Sequence, residues 1–243
     1  MNPSCPKCES TAVKKNGHIH NGKQNHRCLV CGRQFVLDPQ QKIITDQTKS
    51  EVCQALLERV SLEGFCRIFS VGMPWLLSFI QQIIYELPDD LNATVVKDYK
   101  DFEVAIIELD EQWSYVGNKK NQQWLWLAFH LASRQVLAMH VGKRDKRAAE
   151  ALLAKLPGGF KKKAFFYSDR FSVYYEVLPW KQHQAVGKNS GKTSYIERFN
   201  NTLRQRCSRL VRKTLSFSKK LANHIGMIQY FICDYNKRMA LHV

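Results

Sequence analysis

The order of apolar runs after residue 100 constrains this chain more than any other feature. "FEVAIIELDEQWSYV" carries an apolar run from Val104 to Leu109 that ends in Asp110. "QQWLWLAFHLASRQVLAMHVGK" reads as two strands joined at "ASRQ", and "KRDKRAAEALLAKLPGGF" as a helix with Ala148, Leu152, Leu153 and Leu156 on one side and Gly158-Gly159 as its stop. "KKKAFFYSDRF" is a short buried strand running to Asp169, "HQAVGK" is a further strand, and "TSYIERFNNTLRQRCSRLVRKT" reads as one long final helix. Three strands, helix, strand, strand, helix is a mixed α/β pattern. A chain of 243 residues has room for that core and for smaller appendages.

Asp110 and Asp169 both stand where an apolar strand ends. Burying a carboxylate is costly, so such a residue marks either a strand-terminal turn or a cleft at the sheet's edge. Glu197 is the lone acid in its basic helix, and an acid in a first helical turn is also favoured by the helix dipole. Three converging carboxylates repel one another unless divalent cations occupy the gap. Mg²⁺ or Mn²⁺ there would activate an attacking oxygen and stabilise the leaving oxygen of a phosphodiester. Strand alternation places Glu108 and Asp110 on one face and Glu111 on the other, which makes Glu108 the rival for the first position. Ser168 beside Asp169 is a lone serine and gives little support for a covalent mechanism.

In the final helix Ile196, Phe199, Leu203 and Leu210 form a core stripe, and Glu197, Asn200, Asn201 and Arg204 share a neighbouring face. Asn200, Asn201 and Arg204 there suit phosphate contacts beside a metal, while Arg206, Arg209, Arg212 and Lys213 suit a track for a DNA backbone. Residues 187–243 hold twelve Lys and Arg against two acids, and the whole chain has a formal net charge of +16. A field of that size attracts polyanions, which makes nucleic acid the leading partner class and a membrane surface the competing one. No run is long and apolar enough to span a bilayer, and "MNPSCPKCES" lacks an apolar signal core, so a cytoplasmic location without a membrane partner is expected.

Cys5 and Cys8 in "CPKC" and Cys28 and Cys31 in "CLVC" have the spacing of a four-thiolate zinc ribbon over residues 1–40. Asn16-Gly17 and Asn21-Gly22 are turn signals between its short strands, and His18, His20 or His26 could replace a thiolate. Four thiolates close the coordination shell, so the zinc is read as structural. Lys14, Lys15 and Arg33 would make phosphate contacts or form a solvated face.

From residue 45 to 87 the period becomes helical, and "SLEGFCRIF", "SVG" and "MPWLLSFIQQIIYEL" give helix, turn, helix with Pro74 in a first turn. Residues 51–87 have no Lys and are net negative. Base reading by Gln81 and Gln82 therefore stands beside a dimerising or structural role for the second helix. Residues 88–98 read as a linker into the α/β block of residues 99–243.

"CPKC…CLVCGRQF", "ELDEQWSYV", "YSDRF" and "SYIERFNNTLRQRCSRLVRKTLSFSK" together resemble the insertion sequence one family of bacterial transposases along nearly the whole chain. The resemblance implies an RNase H-like catalytic domain whose DDE carboxylates are Asp110, Asp169 and Glu197. It also implies cleavage at the element's ends and joining to target DNA in the bacterial nucleoid. The terminal inverted repeats would be recognised by the zinc ribbon and helix-turn-helix, and a homo-oligomer is implied because two ends join one target. A DNA-binding repressor without catalysis, or an RNase H-like nuclease or resolvase, would use parts of the same equipment.

Overall fold

The computed structural model describes residues 3–19, 22–37, 44–94, 104–187, 190–210 and 218–241. The chain divides into two compact units, Met1–Thr45 and Asp46–Val243.

The first unit is a three-stranded antiparallel sheet in sequence order, β1 (Val13–His18), β2 (Gln24–Cys28) and β3 (Gln34–Val36). The two Asn-Gly signals do different jobs. Gly22, at φ 78°, lies in the connection from β1 to β2, but Asn16-Gly17 falls inside β1, where the register shifts between Lys15 and His18. Gly17 has φ 71°, a conformation that glycine adopts without strain, so the second signal makes a bulge rather than a turn.

The second unit opens with α1 (Asp46–Ala55), α2 (Leu62–Ile68) and α3 (Met73–Tyr85). Ser61 caps α2 by accepting from Gly64 N, and α3 begins with Pro74 in its first turn. The axes of α2 and α3 differ by 112°, which falls in the range of helix-turn-helix pairs. Among the described residues no single helix is long and apolar enough to cross a membrane.

The sheet that follows has strands β4 (Ile106–Tyr115), β5 (Gln122–His130), β6 (Gln135–Gly142), β7 (Phe165–Ser168) and β8 (His183–Ala185). Their spatial order is β6-β5-β4-β7-β8, antiparallel across the first three and parallel across β4, β7 and β8. This is the RNase H-like arrangement, with β4 at the centre. Helices α4 (Lys146–Ala154), α5 (Gly158–Lys163) and α6 (Ser172–Val177) connect its later strands, and α7 (Ser194–Arg206) and α8 (Leu221–Ala240) close the domain. The expected single final helix is thus two. α7 ends at Cys207, and Ser208–Leu210 is a short 3-10 turn. Gly158, expected as a helix stop, begins α5 after Pro157.

Alternation along β4 and β5 sends side chains into two separate cores. Ile107, Leu109 and Trp126 pack with Ala148, Leu152, Phe160 and Tyr174 from α4, α5 and α6. Leu125, Leu127 and Phe129 pack with Ile196, Phe199, Leu203, Phe231 and Ile232 from α7 and α8. The expected stripe of Ile196, Phe199, Leu203 and Leu210 is buried throughout. Asn236 of α8 braces the edge strand, donating to Val136 O and accepting from Val136 N, both at 2.9 Å.

The stretch read as a linker is fastened where it is described. Leu91 and Ala93 are buried, Asn236 donates to Leu91 O at 2.9 Å, and Gln229 donates to Pro88 O at 3.0 Å. The helical segment is held as well. Tyr230 of α8 donates to Cys53 O at 2.8 Å, and Arg206 of α7 makes two bonds to Glu58.

α3 crosses α8 at Gly226, where a Cβ would stand 2.4 Å from Ile84 Cγ2. Gly226→Ala is therefore expected to lower the unfolding free energy by about 1–3 kcal/mol in chemical denaturation, although alanine is ordinarily the better helix former. Adding Ile84→Ala should recover part of that loss, and a single variant as stable as wild type would contradict the close crossing.

Candidate active site

β4 and β7 are parallel neighbours with Ile106 paired to Phe165, Ile107 to Phe166 and Glu108 to Tyr167. Continuing that register by two residues brings Asp110 level with Asp169, just past the end of β7. Two apolar runs that end in aspartate thus place both acids at one point of the sheet. Asp169 turns on itself there, its Oδ1 accepting from Phe171 N at 2.9 Å. Ser168, next to it, is fully buried, donating to Asp169 O and contacting His183 Nε2, each at 2.8 Å. It has no surface to offer as a nucleophile.

Asp110 is held by Asn200, whose Nδ2 lies 2.6 Å from Oδ2, and by Glu111 N at 2.9 Å from Oδ1. Burial pushes its pKa up to about 7, and the nearby Glu111 and Asp169 charges add to the rise against those two hydrogen bonds. Burial also raises the Glu111 pKa, opposed by Arg144 and Tyr174. Arg144 Nη2 is 2.6 Å from Glu111 Oε1, and the Tyr174 hydroxyl donates to Oε2 at 2.8 Å. The guanidinium lies over the rings of Phe171 and Trp124. Glu111 is therefore a clamped ion pair on the α6 side of the sheet. Arg144 and Tyr174, 33 and 63 residues from Glu111, give no local sequence signal of this role.

Glu108, the rival for the first position, is almost wholly buried and accepts from Ile196 N at 2.7 Å. Burial raises its pKa against these amide contacts. Glu197 is exposed in the first turn of α7, with Oε1 accepting from the Thr193 hydroxyl at 3.0 Å. Asp110, Asp169 and Glu197 do not form a ready-made cluster. Among the described residues the four cysteines are the one group of three or more ligating side chains gathered within 4.8 Å.

Cys5 Sγ lies 3.5 Å from Cys31 Sγ, and Cys8 Sγ 3.6 Å from Cys28 Sγ. Tetrahedral zinc with ordinary Zn–S bonds has sulfur–sulfur edges of about 3.8 Å, so the donor set fits the ion. Lys7 N and Cys31 N each point at the sulfur of the first cysteine of their pair, at 3.5 Å. Of the alternative histidine ligands, His18 and His26 are not in this group and His20 lies outside the described residues.

The residues expected to hold DNA separate into two sets. Lys14, Lys15, Arg33 and Asn201 are exposed. The face expected to carry Asn200 and Arg204 toward phosphate instead turns onto β4. Asn200 is 3% exposed against Asp110, and Arg204 Nε donates to Gln112 Oε1 at 2.9 Å. Arg206 is paired with Glu58, and Arg209 is half-buried. A helical face carries residues at one angle, but what stands opposite is decided by the sheet. Gln81 donates to Asn223 of α8 and Gln82 to Glu86, each at 2.9 Å, with both glutamines exposed. Arg212 and Lys213 lie outside the described residues.

The profile described as IS1 transposase matches residues 104–239, spanning the whole sheet, α7 and nearly all of α8. The chain belongs to the IS1 transposase family. It is 41% identical over 128 residues to the insertion element iso-IS1n protein InsB of Shigella dysenteriae, covering 52% of this chain and 93% of that protein. It is 36% identical over 129 residues to the insertion element IS1 protein InsB of Shigella flexneri, with coverage of 53% and 95%. It is 35% identical over 130 residues to the insertion element IS1 4 protein InsB of Escherichia coli K12, with coverage of 53% and 74%.

Two measurements follow from these centres. The folded pKa of Asp110 lies above its unfolded value, so the stability it contributes is complete below about pH 4 and lost as pH rises through about 7. In Mg²⁺-free buffer, urea unfolding of wild type is expected to weaken by on the order of 2–4 kcal/mol across that window relative to Asp110→Asn. All five tryptophans lie in the second unit, so their fluorescence reports it, and parallel pH profiles for the two proteins would contradict the buried-acid assignment. Metal analysis should find about one zinc per chain, lost in Cys28→Ser together with amide protection in β1 and β2. Intact protection in zinc-free protein would remove the zinc ribbon.

Proposed function

We propose that this chain is a DDE-type transposase that binds the terminal inverted repeats of its element, cuts at their ends and joins the freed 3′ hydroxyls to target DNA. The reading rests on one observation above the others, the β4–β7 register that brings Asp110 level with Asp169 at the centre of an RNase H-like sheet. Asp110 and Asp169 would hold a divalent cation, Mg²⁺ or Mn²⁺, with Glu197 completing the set from α7. The cation supplies activation of the attacking oxygen and neutralisation of the charge that develops on the phosphodiester.

The remaining work falls to the chain's own side chains. Asn200 keeps Asp110 oriented while burial and the neighbouring acids favour its protonated form. Ionised Asp110 is thus costly until a cation replaces the proton, which couples metal binding to the site's electrostatics. Arg144 and Tyr174 hold Glu111 away as an ion pair, so it does not compete with Asp110 and Asp169 for the cation. Glu197 is exposed and, among the described residues, its carboxylate is bonded within its own turn to Thr193, a hydroxyl that a cation could replace. Lys14, Lys15 and Arg33 on the zinc ribbon are the phosphate contacts, and the α2–α3 pair is the second DNA-reading element.

Labelled terminal-repeat DNA incubated with a supercoiled plasmid tests the reaction. Wild type is expected to join the two in Mg²⁺ or Mn²⁺, and Asp169→Ala to bind the end with unchanged affinity but lose joining by at least about a hundredfold. Joining that survives the substitution would sink the carboxylate assignment. Wild-type binding that never leads to cutting would favour a repressor.

A further inference from the structure

The first turn of an α-helix leaves its backbone N–H groups without intrahelical acceptors. At α7 the residue in the capping position, Thr193, supplies no side-chain acceptor, and its hydroxyl donates forward to Glu197. The acceptor comes from 88 residues earlier in the chain. Glu108 Oε2 sits 2.7 Å from Ile196 N, and the neighbouring Tyr195 amide helps to offset the rise that burial gives the Glu108 pKa. A carboxylate at that end is also favoured by the helix dipole.

Glu108 is the first rung of a ladder. On the same face of β4, Asp110 meets Asn200 and Gln112 meets Arg204. The strand advances two residues for every four of the helix, which is about 6.8 Å against about 6.0 Å, so the two elements stay in step. Ser114, the next position, contacts His224 of α8 at 3.0 Å.

We propose that Glu108 is a positioning residue: the strand that carries Asp110 itself caps the helix that carries Glu197, and so sets the reach between those two carboxylates. This rests on the DDE reading above. A side-chain cap from position 193 would secure the helix but would leave its first turn, which carries Glu197, untied to β4. With the Ile196 amide on its carboxylate and 1% of its surface exposed, Glu108 presents no open face to DNA.

Glu108→Gln keeps an oxygen that accepts an amide proton but removes the charge a cation needs, whereas Glu108→Ala removes both. Both are compared with wild type and Asp169→Ala for joining rate at saturating DNA, for end affinity, and for hydrogen exchange over residues 194–197. Glu108→Ala is expected to join at least about tenfold more slowly with unchanged affinity, its Ile196 amide exchanging about tenfold faster, and Glu108→Gln to recover most of both. Wild-type joining by Glu108→Ala overturns the proposal. So does a Glu108→Gln protein as inactive as Asp169→Ala with its amides still protected, since Glu108 would then be a metal ligand. If Glu108→Ala fails to fold by circular dichroism, Glu108→Gln decides by the same two readouts. If wild type never joins DNA, the transposase reading fails by itself, and amide exchange alone still decides whether Glu108 caps α7.

Discussion

The polar seam between β4 and α7 is the contact on which the candidate site depends. Apolar packing of Ile196, Phe199 and Leu203 presses α7 onto the sheet, but such packing is non-directional and tolerates a slide along the strand. The rungs from Glu108 to Ile196 N, Asp110 to Asn200 and Gln112 to Arg204 allow only one longitudinal position. A slide by one residue would leave buried carboxylate and amide groups unpaired, at a cost of about 1–3 kcal/mol for each. The seam converts a greasy contact into a registered one, and Glu197 takes its place along the sheet from that register.

Buried charge explains why the site is built from so many partners. Glu108, Asp110 and Glu111 occur almost consecutively in a central strand, and each would be expensive left alone. Each is given a different solution: the Ile196 backbone amide for Glu108, the Asn200 side-chain amide and Glu111 N for Asp110, and an arginine and a tyrosine hydroxyl for Glu111. Asp110 has neutral donors and two neighbouring acids, Glu111 and Asp169, and its pKa is carried to about 7. The acid least compensated by its surroundings is the one standing level with Asp169, where a cation would complete the compensation.

Much of this was legible in the chain. Alternating apolar runs placed β4 to β8 in order, because a sheet buried on both faces leaves that pattern directly. The cysteine spacing marked a closed thiolate cluster, and the sulfurs lie together. Other features were not local. Asn200 and Arg204 share a helical face with Glu197, and that periodicity led to DNA, whereas Asp110 and Gln112 stand opposite them. Asn16-Gly17 looks the same as Asn21-Gly22 in sequence, but only cross-strand pairing shows that it bulges a strand. Residues 88–94 read as polar linker, while their backbone is held by Asn236 and Gln229 from α8, more than a hundred residues away.

The placement of the cation is the most direct test of the central claim. Anomalous scattering from Mn²⁺ in crystals of the protein bound to a terminal-repeat end would locate it without reference to activity. The expected peak lies between Asp110 and Asp169, with Glu197 of α7 turned toward it and Glu108 still bonded to the Ile196 amide. A peak coordinated by Glu108 or Glu111, or no peak beside Asp169, would contradict it.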